Sequence, residues 1–235
     1  MEKLRVLCLH GYQGSAQILR RQLAPLADGL DDLAEFVYID APSLAAGDFG
    51  WWRATALASD NASVGPGAKR YLGWQRTRDA IVSTFARQGP FDGVFGFSQG
   101  AALASLLVGL RSSDPPAPSE ATSPASGSSS KAEALVFDFA VMVGGFVVAD
   151  ADLARLYDER ANYALPSAHL IGRSDSVVPS EASFELASKF ENPMILEHQG
   201  GHVISTAPQI RQGFRTFLEE MHQRKRSRMV ARSGI

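Results

Sequence analysis

Short apolar segments alternate along this chain with longer segments of helical periodicity. The apolar runs are nearly continuous, which is typical of strands covered on both faces. They predict strands at residues 4–9, 36–39, 91–97, 135–143, 168–171 and 194–197, and helices at 18–26, 77–87, 99–110, 181–190 and 210–221. Strands that alternate with helices predict an α/β protein with a mostly parallel, doubly wound sheet and helices on both faces.

Two segments depart from this pattern, and neither divides the chain into domains. Residues 112–131 are rich in Pro and Ser and contain almost no large apolar side chain, which predicts a flexible insertion. A basic tail begins at about residue 223, and a short basic run at a terminus is usually solvated. A length of 235 residues suits one domain, so we expect residues 1–235 to form a single α/β domain.

Composition argues against several classes of protein. The formal net charge of −2 gives no reason to expect nucleic acid or an anionic membrane as a partner. The single cysteine, Cys8, cannot form an intramolecular disulfide or a Cys/His metal cluster. The apolar run at 4–9 is too short for a signal-peptide core, and no run approaches the roughly 20 apolar residues of a membrane helix. We therefore expect a cytoplasmic protein without a membrane span, while the oligomeric state stays open.

The sequence Gly96-Phe97-Ser98-Gln99-Gly100 lies where a predicted strand runs into a predicted helix. A serine at the centre of such a G-x-S-x-G turn has a strained backbone at the end of the sheet, and the flanking glycines let the chain pass closely. Ser98 is therefore our candidate nucleophile. The alternative is a turn of small residues that only packs the helix onto the sheet.

A serine hydroxyl needs a base to activate it, and the base needs an acid to orient it. His202 follows two glycines on the predicted loop after the last strand, an exposed position that suits a catalytic base. His198 lies nearby and is the rival candidate, although its place nearer the strand end favours a structural role. The other downstream histidines lie in a predicted strand, His169, and on the closing helix, His222.

Asp175 is the candidate acid because it lies just after the strand at 168–171. Catalytic residues of open α/β sheets cluster at the carboxyl ends of strands. An ordinary turn aspartate is the structural alternative for this residue. The alternative acids are Asp138, inside a strand pattern, and Asp150 and Asp152, one strand earlier.

The loop after the first strand is the expected source of a second oxyanion donor. It carries the sequence His10-Gly11-Tyr12-Gln13-Gly14, and enzymes with this serine turn combine an N–H of an early loop with the N–H after the nucleophile. We therefore expect the backbone N–H groups of Tyr12 and Gln99 to form the oxyanion hole. Gly11 would allow the turn and His10 would brace it.

Six short motifs together resemble the FSH-type serine hydrolases, a family that includes fungal hydrolases and polyketide-releasing thioesterases. They follow the family order along nearly the whole chain: Leu9-His10-Gly11, Tyr38-Ile39-Asp40-Ala41-Pro42, Phe91-Asp92-Gly93, Gly96-Phe97-Ser98-Gln99-Gly100-Ala101-Ala102, Asp175-Ser176-Val177-Val178-Pro179 and Gly200-Gly201-His202. The resemblance implies an α/β-hydrolase fold, hydrolysis of a carboxylic ester or acyl thioester, and a triad of Ser98, Asp175 and His202. Such a triad requires no metal or organic cofactor. Residues 112–131 and 43–74 fall outside the resemblance.

The sequence constrains the substrate less than it constrains the fold or the candidate triad. We expect a small-molecule acyl ester or thioester, either free or bound to a carrier. The alternatives are a peptide or lactone hydrolase with the same triad, and a non-catalytic binding protein of this fold. A cluster of aromatic residues has two interpretations of equal weight, the lining of an acyl pocket or the core of a cap. Its members are Trp51, Trp52, Tyr71 and Trp74.

Overall fold

The computed structural model describes residues 2–43, 50–56, 69–111, 135–158 and 163–233. Helices and strands alternate along this part of the chain, except for three successive strands between α1 and α2. In order they are β1 Leu4–Leu9, α1 Ala16–Ala27, β2 Ala34–Ile39, β3 Arg53–Ala56, β4 Lys69–Leu72, α2 Trp74–Gln88, β5 Gly93–Phe97, α3 Gln99–Leu110, β6 Phe139–Val143, α4 Arg155–Asp158, β7 Ser167–Gly172, α5 Ser180–Ala187, β8 Met194–His198 and α6 Pro208–Ser233.

Six of the strands form one parallel sheet in the order β2-β1-β5-β6-β7-β8. The chain moves from β1 to the edge strand β2, returns to β5 on the other side of β1, and then continues outward to β8. The direction of winding therefore reverses between β1 and β5. A crevice forms at the carboxyl ends of the strands at such a reversal. The predicted doubly wound sheet is confirmed.

Helices cover the sheet on both faces because successive side chains of a buried strand point in opposite directions. In β1, Leu4, Val6 and Cys8 pack with the apolar residues of α1 and α6. Leu7 and Leu9 pack on the other face with α2 and α3. Helix α3 is buried along almost its full length, which explains why small and apolar residues occupy all of its sides.

Residues 43–74, which fall outside the family resemblance and for which the sequence predicts no strand or helix, contain the antiparallel hairpin β3–β4. Asp150, beyond β6, holds it in place. Its Oδ2 accepts the N–H of Tyr71 (2.6 Å), and the hydroxyl of Tyr71 accepts the N–H of Ala149 (3.1 Å). The hairpin therefore depends on tertiary contacts. Its strands are short and polar, so they have no hydrophobic periodicity from which the sequence could predict them.

The basic segment from about residue 223 continues α6 as helix, and most of its residues are exposed. Lys225 pairs with Asp92 (2.9 Å) and Glu2 (3.0 Å), and Arg228 pairs with Asp138. These pairs join the end of α6 to the amino ends of β5 and β6. The predicted insertion at 112–131 lies outside the described residues. None of the helices in the described ranges is both long and apolar enough to span a membrane.

Candidate active site

Ser98 occupies the turn between β5 and α3. Its backbone has φ 56° and ψ −118°, and a left-handed φ is uncommon for a residue with a side chain. A Cβ at Gly96 would overlap the carbonyl oxygen of Gly100, and a Cβ at Gly100 would overlap the carbonyl oxygen of Leu9. Only glycine therefore fits at the two flanking positions. The N–H of Ser98 donates to the carbonyl of Val143 (2.8 Å), which helps to hold the strained turn.

Asp175 lies in the loop after β7, with its side chain 3% exposed. Its Oδ1 accepts the N–H groups of Val177 and Val178 (2.8 Å each), and its Oδ2 accepts a hydrogen bond from Nδ1 of His202 (2.6 Å). Burial by itself raises the pKa of Asp175, but the hydrogen bonds from His202 and from the two backbone N–H groups outweigh it, so the pKa is lowered. The carboxylate is thus held ionised beside the imidazole.

His202 lies on the loop after β8, and its ring contacts Phe97, the residue directly before Ser98, with ring centroids 4.9 Å apart. The ring also borders Gly144 at the end of β6, where a Cβ would lie 3.1 Å from its Cε1. Because Nδ1 donates to Asp175, Nε2 is the nitrogen that can accept a proton. The loops after β5, β7 and β8 therefore bring the three predicted residues to one edge of the sheet.

The other histidines that follow Ser98 have structural partners. His198 is buried, and its Nδ1 accepts a loop N–H (3.1 Å). His169 is enclosed within β7, where burial lowers its pKa to about 3. His222 lies on α6, where its Nε2 meets a carbonyl of the N-terminal segment at 3.0 Å. These contacts favour His202 as the base.

The alternative acids also have partners other than a histidine. Asp138 is paired with Arg228 at the amino end of β6. Asp150 accepts the N–H of Tyr71 and holds the β3–β4 hairpin, and Asp152 is exposed. Among these four aspartates, Asp175 is the one that is hydrogen bonded to a histidine.

The loop after β1 approaches the serine turn closely. A Cβ at Gly11 would lie 3.3 Å from the Cβ of Ser98, so a larger residue would press on the serine. His10 braces this loop, because its Nδ1 donates to the carbonyl of Gly11 (2.7 Å) while its Nε2 accepts the N–H of Ala41 (3.0 Å). Burial lowers the pKa of His10, which favours the neutral form that this pair of bonds requires.

The two expected oxyanion donors lie on the two backbone segments that meet at Ser98. Tyr12 directly follows Gly11 in the β1 loop, and its side chain is 53% exposed. Gln99 is the first residue of α3, and the first N–H groups of a helix have no intrahelical acceptor. A helix N-terminus also favours negative charge.

The aromatic residues of the expected pocket pack largely against protein. Trp51 is 1% and Trp52 3% exposed, and Tyr71 is also buried. The indole N–H of Trp51 donates to the carbonyl of His10 (2.7 Å). Trp52 stacks on Tyr71 with centroids 4.7 Å apart, and Trp74 meets Trp52 edge-on at 6.3 Å. These contacts favour the interpretation of the cluster as structural anchors.

A cavity of about 920 Å³ lies at the opposite end of the strands from Ser98. It is bordered by Asp138, Pro166 and Arg228, at the amino ends of β6 and β7 and on α6. It is therefore separate from the triad residues. Within the described ranges, no group of three His, Cys, Asp or Glu side chains is arranged to hold a metal ion.

The model of the serine hydrolase (FSH1) family matches residues 1–214. Esterase OVCA2 of Xenopus tropicalis is 33% identical over 223 residues, covering 88% of this chain and 88% of that protein. Esterase CG5412 of Drosophila melanogaster is 30% identical over 233 residues, covering 94% and 76%. The crystal structure of Zea mays acyl-protein thioesterase 2 aligns with a TM-score of 0.55 at 17% identity, covering 93% of this chain and 95% of that one, and shares the α/β-hydrolase fold. The chain therefore belongs to the serine hydrolase (FSH1) family.

Proposed function

We propose that this protein hydrolyses a carboxylic ester or an acyl thioester, with Ser98 as nucleophile, His202 as base and Asp175 as the acid that orients the base. The observation that carries the proposal is the 2.6 Å hydrogen bond between Nδ1 of His202 and Oδ2 of Asp175. The ring of His202 contacts Phe97, the residue before Ser98, and Ser98 has a strained backbone in the strand-to-helix turn. Relatives named esterases support the ester as substrate, and a thioester would react through the same groups.

In the first step, Nε2 of His202 takes the hydroxyl proton of Ser98 as Oγ attacks the carbonyl carbon. The carbonyl oxygen becomes an oxyanion, and the N–H groups of Tyr12 and Gln99 are the proposed donors to it. Asp175 holds the tautomer of His202 and stabilises the imidazolium. His202 then gives the proton to the leaving oxygen or sulfur, the bond to the carbonyl carbon breaks, and the alcohol or thiol departs.

In the second step, a water molecule gives a proton to His202 and its oxygen attacks the acyl-enzyme. The bond from the carbonyl carbon to Oγ of Ser98 breaks, and His202 returns the proton to Oγ. The carboxylic acid leaves and the enzyme is restored. Each step moves one proton through His202 and needs only water as a second reactant.

The proposed substrate is a small acyl compound, either free or attached to a carrier. A peptide or a lactone is the rival substrate for the same triad. A non-catalytic binding role is disfavoured, because a binding protein has no need of a strained serine turn and an ionised aspartate that is hydrogen bonded to a histidine. Membership of a serine hydrolase family argues in the same direction.

The test is hydrolysis of a panel of p-nitrophenyl esters, acyl thioesters, lactones and peptides by the wild-type protein and by Ser98→Ala. We expect wild-type turnover of esters or thioesters, and a loss of at least about 10³-fold in Ser98→Ala, because the attacking oxygen is gone. Ser105→Ala is the matched control, since Ser105 lies in α3, the helix that follows Ser98, and bonds to Tyr157 (2.7 Å) in the core. Equal rates in wild type and Ser98→Ala would refute the triad, and turnover of peptides or lactones alone would refute the proposed substrate class.

A further inference from the structure

The side chain of Gln99 is buried and reaches from the serine turn to residues 50–52. Its Oε1 accepts the N–H of Trp51 (2.9 Å), and its Nε2 donates to the carbonyl of Trp52 (2.9 Å). A carboxamide that both accepts from and donates to one stretch of backbone fixes the distance between the two segments. The proposed mechanism uses only the backbone N–H of Gln99, so these two bonds serve a separate purpose.

Trp51 extends this connection to the loop after β1. Its indole N–H donates to the carbonyl of His10 (2.7 Å), and its ring lies against the His10 ring with centroids 4.9 Å apart. The carbonyl of Trp51 accepts a hydrogen bond from Oγ1 of Thr77. Because Trp51 is 1% exposed, water cannot easily replace a lost partner, and a buried polar group would be left unsatisfied.

Gly50 fills the space between the two expected oxyanion residues. A Cβ at this position would lie 2.8 Å from Cδ2 of Tyr12 and 2.9 Å from Oε1 of Gln99. Both distances are too short for a real Cβ, so glycine is the residue that allows this fit. The side chains of Tyr12 and Gln99 therefore both lie close to residue 50.

We propose that residues 50–52 and the side chain of Gln99 form a bridge that sets the separation of the two oxyanion donors. The donors belong to different elements, the loop after β1 and the first turn of α3. Each must lie about 2.7 to 3.1 Å from the oxyanion, and a misplacement of about 1 Å can cost on the order of 100-fold in rate. This inference rests on the proposed function. Trp51 and the Gln99 side chain are positioning groups, since they act through the backbone N–H groups of Tyr12 and Gln99.

The test compares Trp51→Phe, which removes the indole N–H, and Gln99→Met, which removes both carboxamide bonds. Thr77→Val is a milder third variant that retains the shape of Thr77 and deletes only the bond to Trp51. Tyr157→Phe is the matched control, because it removes buried hydrogen bonds of the core, to Ser105 and to the backbone of Val148. The readouts are kcat and KM with p-nitrophenyl butyrate, inhibition by an alkyl trifluoromethyl ketone, and thermal unfolding.

We expect kcat to fall about 10- to 100-fold in Trp51→Phe and Gln99→Met, with KM changed by less than about threefold, because the donors act mainly on the transition state. Inhibition by the ketone, which forms an oxyanion on Ser98, should weaken by the same factor as kcat/KM. Thr77→Val should show a smaller loss of kcat. If the other two variants fail to fold, the result with Thr77→Val tests the bridge by itself. Loss of activity no greater than in Tyr157→Phe, or a change in KM alone, would overturn the bridge. Unchanged turnover in Ser98→Ala would instead overturn the proposed function.

Discussion

Asp175 is held in its ionised form by local hydrogen bonds that oppose the effect of burial. The surrounding protein leaves its side chain only 3% exposed, and such burial disfavours a charged carboxylate. Three hydrogen bonds, one from the His202 ring and two from the N–H groups of Val178 and Val177, lower its pKa overall. The carboxylate is therefore charged without substrate, and in the proposed mechanism it need not reorganise when the imidazolium forms.

Replacement of Asp175 by Asn tests this arrangement. The amide cannot stabilise the imidazolium and can donate to Nδ1, which would favour the wrong tautomer of His202. We expect kcat to fall about 10³- to 10⁴-fold with little change in KM. Asp92→Asn is the control, because Asp92 is also paired, with Lys225 (2.9 Å), but at the amino ends of the strands. A loss of less than about tenfold in Asp175→Asn would argue that another carboxylate orients the base.

The strand–turn–helix unit of β5 and α3 is the element on which the geometry of the site depends. Gly100 lies where α3 crosses the end of β1, and a Cβ there would overlap the carbonyl oxygen of Leu9. This neighbour is backbone, so it cannot rotate away as a side chain would. A methyl group at Gly100 must push α3 away from β1, and with it the serine turn.

Gly100→Ala is therefore expected to lower the free energy of unfolding by about 1 to 3 kcal/mol and also to reduce kcat. Gly109→Ala in the same helix is the comparison. A Cβ at Gly109 would lie 2.8 Å from the hydroxyl of Tyr163 and 3.2 Å from the Cβ of Leu156, a smaller overlap than the 2.1 Å approach to the Leu9 oxygen at Gly100, and alanine favours a helix over glycine. Denaturant unfolding measures the free energy of unfolding, and kcat is measured with the ester of the panel that the wild-type protein hydrolyses fastest. Equal stability of the two variants would contradict the proposed close contact.

The same elements show which features the sequence could predict. The bounds of β1 and α3 coincide with the predicted 4–9 and 99–110, because both are continuously apolar and fully covered. The predicted alternation of strands and helices also indicated that Ser98, Asp175 and His202 follow the ends of strands. The hairpin β3–β4 and the contact of Gln99 with Trp51 could not be predicted, because both depend on residues that are distant in sequence and brought together only by the fold.

At the scale of the whole molecule, the candidate site and the ion pairs of α6 lie at opposite ends of the sheet. The loops after β1, β5, β7 and β8 carry the candidate site at the carboxyl ends. At the amino ends, Lys225 and Arg228 of α6 pair with Asp92 and Asp138. Lys225 is largely enclosed, and although burial opposes its charge, hydrogen bonds from its ammonium to Asp92 and Glu2 raise its pKa. The last turns of α6 therefore anchor the helix across the sheet, away from the chemistry.

Buried neutral histidines make the stability of the whole molecule depend on pH. Burial lowers the pKa of His10 and His198, and lowers that of His169 in β7 to about 3. An unfolded chain protonates such a histidine near pH 6.5, whereas the folded chain keeps His169 neutral down to about pH 3. Below pH 6.5 the unfolded state thus binds more protons, so the free energy of unfolding is highest above that pH and falls as the pH is lowered.

His169 alone should contribute a slope of about 1.4 kcal/mol per pH unit between about pH 6 and its folded pKa. In His169→Gln the slope of unfolding free energy against pH should be shallower by that amount, because the residue no longer binds a proton when the chain unfolds. The loss of the ring contact with Phe190 lowers the free energy of unfolding at every pH. At pH 8, where His169 is neutral in both the folded and the unfolded chain, the difference in unfolding free energy between wild type and variant therefore reports packing alone. Urea unfolding of wild type and variant at several pH values between 4.5 and 8 measures both. Parallel curves would mean that His169 takes up no additional proton on unfolding, and that other groups carry the acid sensitivity of the fold.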